Sequence, residues 1–275
     1  MAVTMLFVSF ALVSVDAFAA AQNWQIGFQD AASPLMAQLN GFHNYLLVII
    51  TAISVFVMVL LAVTCYRFRE KKNPVPSKTT HNTLIEVIWT VVPIFILIAI
   101  AIPSFRILFF AERLPKAEMT LKVIGYQWYW SYKYPDYGNL SFDSNIVDEK
   151  DLKPGQPRLL TVDNPVVLPV DTNIRLQTTA ADVIHCWAIP AFAIKMDAIP
   201  GKLNETWFKI TKPGTYYGQC SELCGIKHGF MPIVVNAVSK EEFAKWIEQS
   251  KKKFAAAPAS SKAIAQLPSS GTITQ

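Results

Sequence analysis

Between Gly218 and Pro232 the chain reads GQCSELCGIKHGFMP. Two thiols (Cys220, Cys224), an imidazole (His228) and a thioether (Met231) fall within twelve residues. Soft thiolate and thioether donors favour copper over harder ions. Zinc prefers a closed tetrahedron of Cys and His and seldom takes Met. A disulfide between Cys220 and Cys224 is the simplest alternative, but it leaves His228 and Met231 without a role. Two thiolates can each bridge two copper ions, so that one unpaired electron spreads over the pair and little geometry changes on reduction. That is a site for electron transfer.

Each copper then needs its own imidazole, and the chain has only His43, His81, His185 and His228. The first two lie beside long apolar runs, which leaves His185, in ADVIHCW, as the partner. Met231 is read as the weak donor to one copper. The backbone carbonyl of Glu222, held between the cysteines, is placed to serve the other. Cys186 follows His185 directly, and strand alternation would turn it to the opposite face as a buried core thiol. The loop follows TYYGQ and precedes PIVVNAV, and it resembles the single-Cys loop of blue-copper domains with a second Cys added.

The elements that hold this loop are short and β-rich. MTLKVIGYQWYWSYKY, RLLTVDNPVVLPV, NIRLQTTA, TWFKITK, TYYGQC and MPIVVNAV are separated by turns such as Lys153-Pro154-Gly155 and Lys212-Pro213-Gly214. This pattern predicts an all-β sandwich or barrel over residues 118–238. KEEFAKWIEQSKKK predicts a helix with Phe243, Trp246 and Ile247 on one face, and the rest of 239–275 reads as an Ala/Ser/Pro-rich tail.

The first half has another character. Hydrophobic residues are 52% of the 275 and charged residues only 16%, well below the usual charged share of about 25%. Residues 1–21 end in Ala19-Ala20-Ala21 and read as a signal peptide, although no Lys or Arg precedes the apolar run. Within 22–112 the runs at about 42–66 and 84–110 are each long enough to cross a bilayer. The connection between them carries Arg67, Arg69, Lys71, Lys72 and Lys78 against Glu70, which puts it inside and the β domain outside. Much of the +5 net charge sits in this loop and in the tail, so it does not indicate nucleic-acid binding. Glu86 stands near the inner end of the second run. Such a carboxylate is either turned towards protein or simply interfacial.

The words IGFQDAASPLM, EVIWTVVPIFIL, GYQWYWSYKYP, DVIHCWAIP, KMDAIPGKLN and YYGQCSELCGIKHGFMPI resemble the cytochrome c oxidase subunit II family, bacterial type, over about residues 24–250. The resemblance implies a two-helix transmembrane hairpin carrying an all-β cupredoxin-like Greek-key barrel with a dinuclear copper A centre. It implies electron entry from cytochrome c at Trp128, with Trp130 read as core, and delivery to the haem of subunit I of a proton-pumping oxidase. It also implies a Glu222 carboxylate on a magnesium or manganese shared with subunit I, and Glu86 at the mouth of a proton pathway. Expected partners are subunit I, other oxidase subunits, membrane lipid and a soluble or membrane-bound cytochrome c. The expected place is a bacterial plasma membrane with the copper domain periplasmic, or else a mitochondrial inner membrane. Asp143, Asp163 and Asp182 match acids that dock basic cytochrome c. Lys133 and Ala181 stand where the family has two more, so docking is expected to be weaker or differently oriented. A copper-free quinol oxidase subunit would lack the copper ligands. For a stand-alone copper carrier, Glu86 and Glu222 would have no role.

Overall fold

The computed structural model describes residues 24–255. The expected signal segment 1–21 and the tail beyond Ala255 lie outside the described residues. Helix α1 runs Pro34–Arg67 and α2 runs Thr83–Glu112, with most of their side chains exposed. At a rise of about 1.5 Å per residue, their 34 and 30 residues exceed the roughly 30 Å hydrocarbon core. Ser33 caps α1 by accepting from the Met36 amide, and Pro34 begins the helix. The helix therefore starts eight residues before the apolar run at 42. Asn82 caps α2 by accepting from the Ile85 amide.

Ten strands follow: β1 Met119–Tyr126, β2 Tyr129–Tyr134, β3 Leu140–Ser144, β4 Val166–Pro169, β5 Ile174–Ala180, β6 His185–Ile189, β7 Ile194–Ala198, β8 Asn204–Phe208, β9 Gly214–Cys220 and β10 Pro232–Val238. They form two five-stranded sheets, ordered β3-β2-β1-β5-β8 and β4-β10-β9-β6-β7. These are the two halves of the expected cupredoxin-like barrel. In β1 the alternating Met119, Leu121, Val123 and Gly125 turn inward. Trp130, Tyr132, Tyr134, Trp187 and Phe192 fill the space between the sheets. The buried phenol of Tyr134 donates to Val167 O at 3.0 Å, and the Trp187 indole donates to Tyr132 Oη at 3.3 Å. These bonds remove the cost of burying polar groups.

Of RLLTVDNPVVLPV, only Val166–Pro169 is a strand. The C-terminal helix α3 spans Lys240–Ala255. Ser239 and Glu242 close a capping box at its start, and Phe243 and Ile247 are buried against the barrel.

The barrel is tied to both helices. Ala32 N donates to Ala191 O at 3.0 Å, Thr211 N donates to Ala32 O at 2.9 Å, and Ser33 Oγ donates to Phe192 O at 2.8 Å. At the far end of α2, Trp207 Nε1 donates to Ala111 O at 3.1 Å and its ring meets Phe110 edge-on.

Candidate metal centre

Cys220 ends β9, and Met231 immediately precedes β10. The ladder between these strands closes with Cys220 N donating to Met231 O at 3.2 Å. The loop therefore leaves and re-enters one rigid pair of strands, with His185 supplied by neighbouring β6. Gly225 sits at φ +117°, a backbone that L side chains rarely adopt, and so turns the loop between Cys224 and His228.

The sulfurs of Cys220 and Cys224 are 3.9 Å apart. His185 Nδ1 lies 3.9 Å from the Cys220 sulfur, and His228 Nδ1 lies 3.5 Å from the Cys224 sulfur. The Met231 sulfur is 3.5 Å from that of Cys224, and Glu222 O is 3.4 Å from that of Cys220. Donor atoms of His185, Cys220 and Cys224 all fall within 4.8 Å of one another. All six donors named from the sequence thus converge. The sulfur separation is far beyond a disulfide bond of about 2.05 Å. It is still short enough for one ion at a thiolate distance of about 2.3 Å to reach both.

The electrostatics ask for a cation. Burial pushes the Cys220 thiol up, but contacts with the His185 ring and the Cys186 and Glu222 backbone outweigh it and bring it to about 7. Burial and then the adjacent Cys220 charge push Cys224 up to about 12. The first ionisation opposes the second. Positive charge between the sulfurs lifts that opposition and stabilises both thiolates.

His185 is fully buried and its ring is held from behind. Asp182 Oδ1 is 2.9 Å from His185 Nε2 and accepts from Val183 N at 2.7 Å, while Asp182 Oδ2 accepts from Gln127 N at 2.7 Å. A proton on Nε2 leaves the Nδ1 lone pair facing the site. Burial lowers the His185 pKa, but Cys220 and Asp182 more than offset it and raise it. The Trp130 ring packs edge-on against His185 with centroids 5.8 Å apart, so this buried tryptophan is part of the wall of the site.

Gly125 makes room for the imidazole: a Cβ there would stand 2.7 Å from His185 Cδ2. Gly125→Ala is therefore expected to tilt the ring, weaken metal binding and cost about 1–3 kcal/mol of stability. Metal titration and thermal unfolding of the chain check both effects.

Sequence reading missed three of these supports: Asp182 as a partner of His185, Gly125 and Gln127. Gln127 Nε2 donates to Cys224 O at 2.8 Å, and Trp128 Nε1 donates to the same carbonyl at 3.1 Å. An Asp three residues before a ligand His was the one available signal. Trp128 is half-buried at the tip of the β1–β2 hairpin, against Gly225. Cys186 is buried outside the cluster, and burial pushes its thiol to about 12.

The remaining sites lie apart. Asp143 and Asp163 are exposed; both Asp163 oxygens are taken by Asn145. The Glu222 side chain is exposed. Glu86 begins α2 far along the chain from the barrel, where Oε1 accepts from Asn82 N at 3.3 Å and reinforces the helix cap.

Comparison with known proteins bears on both halves of the chain. Residues 119–238 match the periplasmic domain of cytochrome C oxidase subunit II, and residues 21–107 match its transmembrane domain. A probable cytochrome c oxidase subunit 2 of Rickettsia felis is 55% identical over 246 residues, covering 89% of this chain and 78% of the relative. The cytochrome c oxidase subunit 2 of Chondrus crispus is 52% identical over 232 residues, covering 82% and 91%. Among solved structures, the periplasmic domain of subunit II of cytochrome oxidase (CoxB) of Bradyrhizobium japonicum shares 58% identity, covering 52% of this chain and 99% of that one with a TM-score of 0.49. The two apolar helices thus fall in the part that matches a transmembrane domain, and the barrel in the part that matches a periplasmic one. The chain belongs to the cytochrome c oxidase subunit II family, a component of the oxidase complex.

Proposed function

We propose that this chain takes electrons from a c-type cytochrome at a dinuclear copper A centre and passes them to the haem of subunit I for reduction of oxygen to water by a proton-pumping oxidase in a bacterial plasma membrane. The observation that carries this reading is the pairing of each thiol with its own imidazole nitrogen across a 3.9 Å sulfur–sulfur gap. Cys220, Cys224, His185, His228, Met231 and the Glu222 carbonyl would hold the ions. When bound, the copper pair supplies a one-electron couple shared between two metals.

The protein's part is to hold these donors still and, except for the half-buried His228, to keep their side chains dry. Cys220, Cys224 and Met231 are 6%, 3% and 1% exposed, and His185 not at all. Strand pairing fixes both ends of the loop, and Asp182 fixes the His185 ring. Donors that cannot move keep the reorganisation on electron transfer small. Electron paramagnetic resonance of the copper-loaded full chain tests the proposal. The expected result is the multiline hyperfine pattern of one electron shared by two copper nuclei. A single-copper pattern would rule out the two-copper reading.

Electrons would enter at Trp128, whose indole N–H is bonded to the carbonyl of the thiolate residue Cys224. Trp128→Phe keeps an aromatic ring but removes that bond. Electron entry from cytochrome c is expected to slow on the order of tenfold or more, as misplacing a reacting group does, with copper retained. Copper loss in this variant would make Trp128 a structural residue instead. Asp143, Asp163 and Asp182 are proposed to face the basic surface of the cytochrome.

Leu223, Ile226 and Phe230 stand 79%, 88% and 46% exposed on the metal loop. An apolar rim of this kind supports cover by a neighbouring oxidase subunit. The exposed Glu222 carboxylate would there meet a magnesium or manganese ion shared with subunit I, and Glu86 would open a proton pathway into it.

A further inference from the structure

The hairpin that carries Trp128 has a second charged feature that electron entry does not use. β1 and β2 pair from Lys122↔Lys133 to Tyr126↔Tyr129, with Gln127 and Trp128 at the tip. Lys122, Ile124 and Tyr126 alternate with the buried Leu121, Val123 and Gly125, so they face outward. The register sets Lys133, Ser131 and Tyr129 opposite them. Two lysines therefore face each other directly across the ladder, an arrangement that destabilises a strand pair. Neither makes an ion pair among the described residues.

Two of the acids nearby already accept hydrogen bonds. Asp136 accepts from Thr120 N at 2.6 Å, and Glu205 accepts from Gln177 at 2.5 Å. Asp143 is opposite Ser131, one step towards the tip on the same face. Burial and then the Asp143 charge raise the Tyr126 and Tyr129 phenols, and this exposed carboxylate makes no ion pair with either lysine. The outer face of the hairpin changes sign along its length, with Asp182 bonded at the tip beside Trp128, Asp143 midway and the lysine pair farther down.

Distance brings both poles under one partner. An ordinary interface buries about 800 Å² on each side, a disc of roughly 16 Å radius. The five residues from Trp128 to Lys133 span about 17 Å along a strand. A protein seated over Trp128 therefore reaches the lysines at its rim. Charges at a rim stay solvated and act on encounter and orientation, so the sign of the partner's surface there decides how well it docks.

We propose that the electron donor presents a carboxylate to Lys122 and Lys133. This rests on electron entry at Trp128. The donor is then a bipolar cytochrome, basic around the haem edge that gives up the electron and acidic at about one strand length away. A uniformly basic surface would be repelled there.

The test uses the intact oxidase carrying Lys133→Glu, with Lys133→Gln as the neutral step. Oxidation of the host's own c-type cytochrome and of a uniformly basic cytochrome is followed over a range of ionic strength. For the host donor, Lys133→Glu is expected to raise KM about tenfold at low salt and to flatten the salt dependence. For the uniformly basic cytochrome the same change is expected to lower KM, with Lys133→Gln intermediate in both series. The copper resonance spectrum reports that the site is intact in each variant. A lower KM for the host donor overturns the proposal. So does an unaltered KM for both donors, because the lysines would then face lipid or another subunit. Trp128→Phe separates the two levels: normal electron entry in that variant defeats the entry reading whatever Lys133 shows.

Discussion

Replacing Cys224 by serine will abolish the shared-electron copper spectrum while leaving the barrel folded. The thiol is 3% exposed and lies between the Cys220 sulfur at 3.9 Å, His228 Nδ1 at 3.5 Å and the Met231 sulfur at 3.5 Å. A serine oxygen fits the space but is a hard, weakly acidic donor that does not bridge soft ions. The remaining thiolate can serve a single copper with His185, so a single-copper spectrum should replace the multiline one. Loss of a supporting partner behind a ligand costs about 10–100-fold in metal affinity, and loss of the ligand itself should exceed that. The metal-free barrel should lose only about 1–3 kcal/mol for a buried hydroxyl without a good partner. Urea unfolding of the metal-free chain measures that loss. A surviving multiline spectrum would show that two bridging thiolates are not the basis of the site.

The same loop shows how much sequence alone can say. Six candidate donors were legible because their chemistry is local: four side chains of rare type within twelve residues, the Glu222 carbonyl between the two thiols, and a histidine found by elimination. What was not legible depends on contacts between elements distant in sequence. Asp182 reaches Gln127 across 55 positions, and Gln127 reaches Cys224 across 97. Gly125 looks like any strand glycine until His185 is laid against it. The sequence therefore gave Asp182 one role, as a docking acid, while the folded chain gives its carboxylate three hydrogen-bonding partners.

Strand limits fared in a similar way. The outward alternation in NIRLQTTA and MTLKVIGY marks half-exposed strands, and β5 and β1 lie there. RLLTVDNPVVLPV is equally apolar, but Pro165 lacks an N–H and Asp163 turns back to Asn145. The ladder starts only at Val166. β6 is buried at all five positions, so period-two alternation could not reveal it. Helix α1 outruns its apolar segment: Ala32 and Ser33 just before it are bonded to the barrel and Met36 is buried, while Gln38 and Asn40 in the added turns need not be apolar.

The second large effect is expected at Asp182, where two roles make opposite predictions. Its carboxylate accepts from Val183 N and Gln127 N and holds His185 Nε2. Asn keeps one acceptor oxygen, so its amide N–H₂ must face either the Gln127 amide or the side shared by Val183 and His185. It also removes the charge that strengthens all three bonds. Metal affinity of Asp182→Asn is expected to fall about 10–100-fold, with an altered copper spectrum because the ring is no longer fixed.

The pH dependence follows from the same contacts. Burial raises the Asp182 carboxyl, but His185 and the Gln127 and Val183 amides outweigh it and hold it below its ordinary value. A lowered acid stabilises the fold fully above the ordinary carboxylate range, near pH 4 by rough measure, and loses that contribution as pH falls through its folded value. The metal-free chain should therefore lose stability on acidification below about pH 4, and Asp182→Asn should flatten that acid limb. If Asp182 acted only as a docking acid, its variant would raise the KM for the donor and leave copper affinity, spectrum and acid limb untouched. Ligand positioning predicts change in all three. With only 31% of its side chain exposed and both oxygens bonded inward, Asp182 is built to fix His185 first and to meet a partner second.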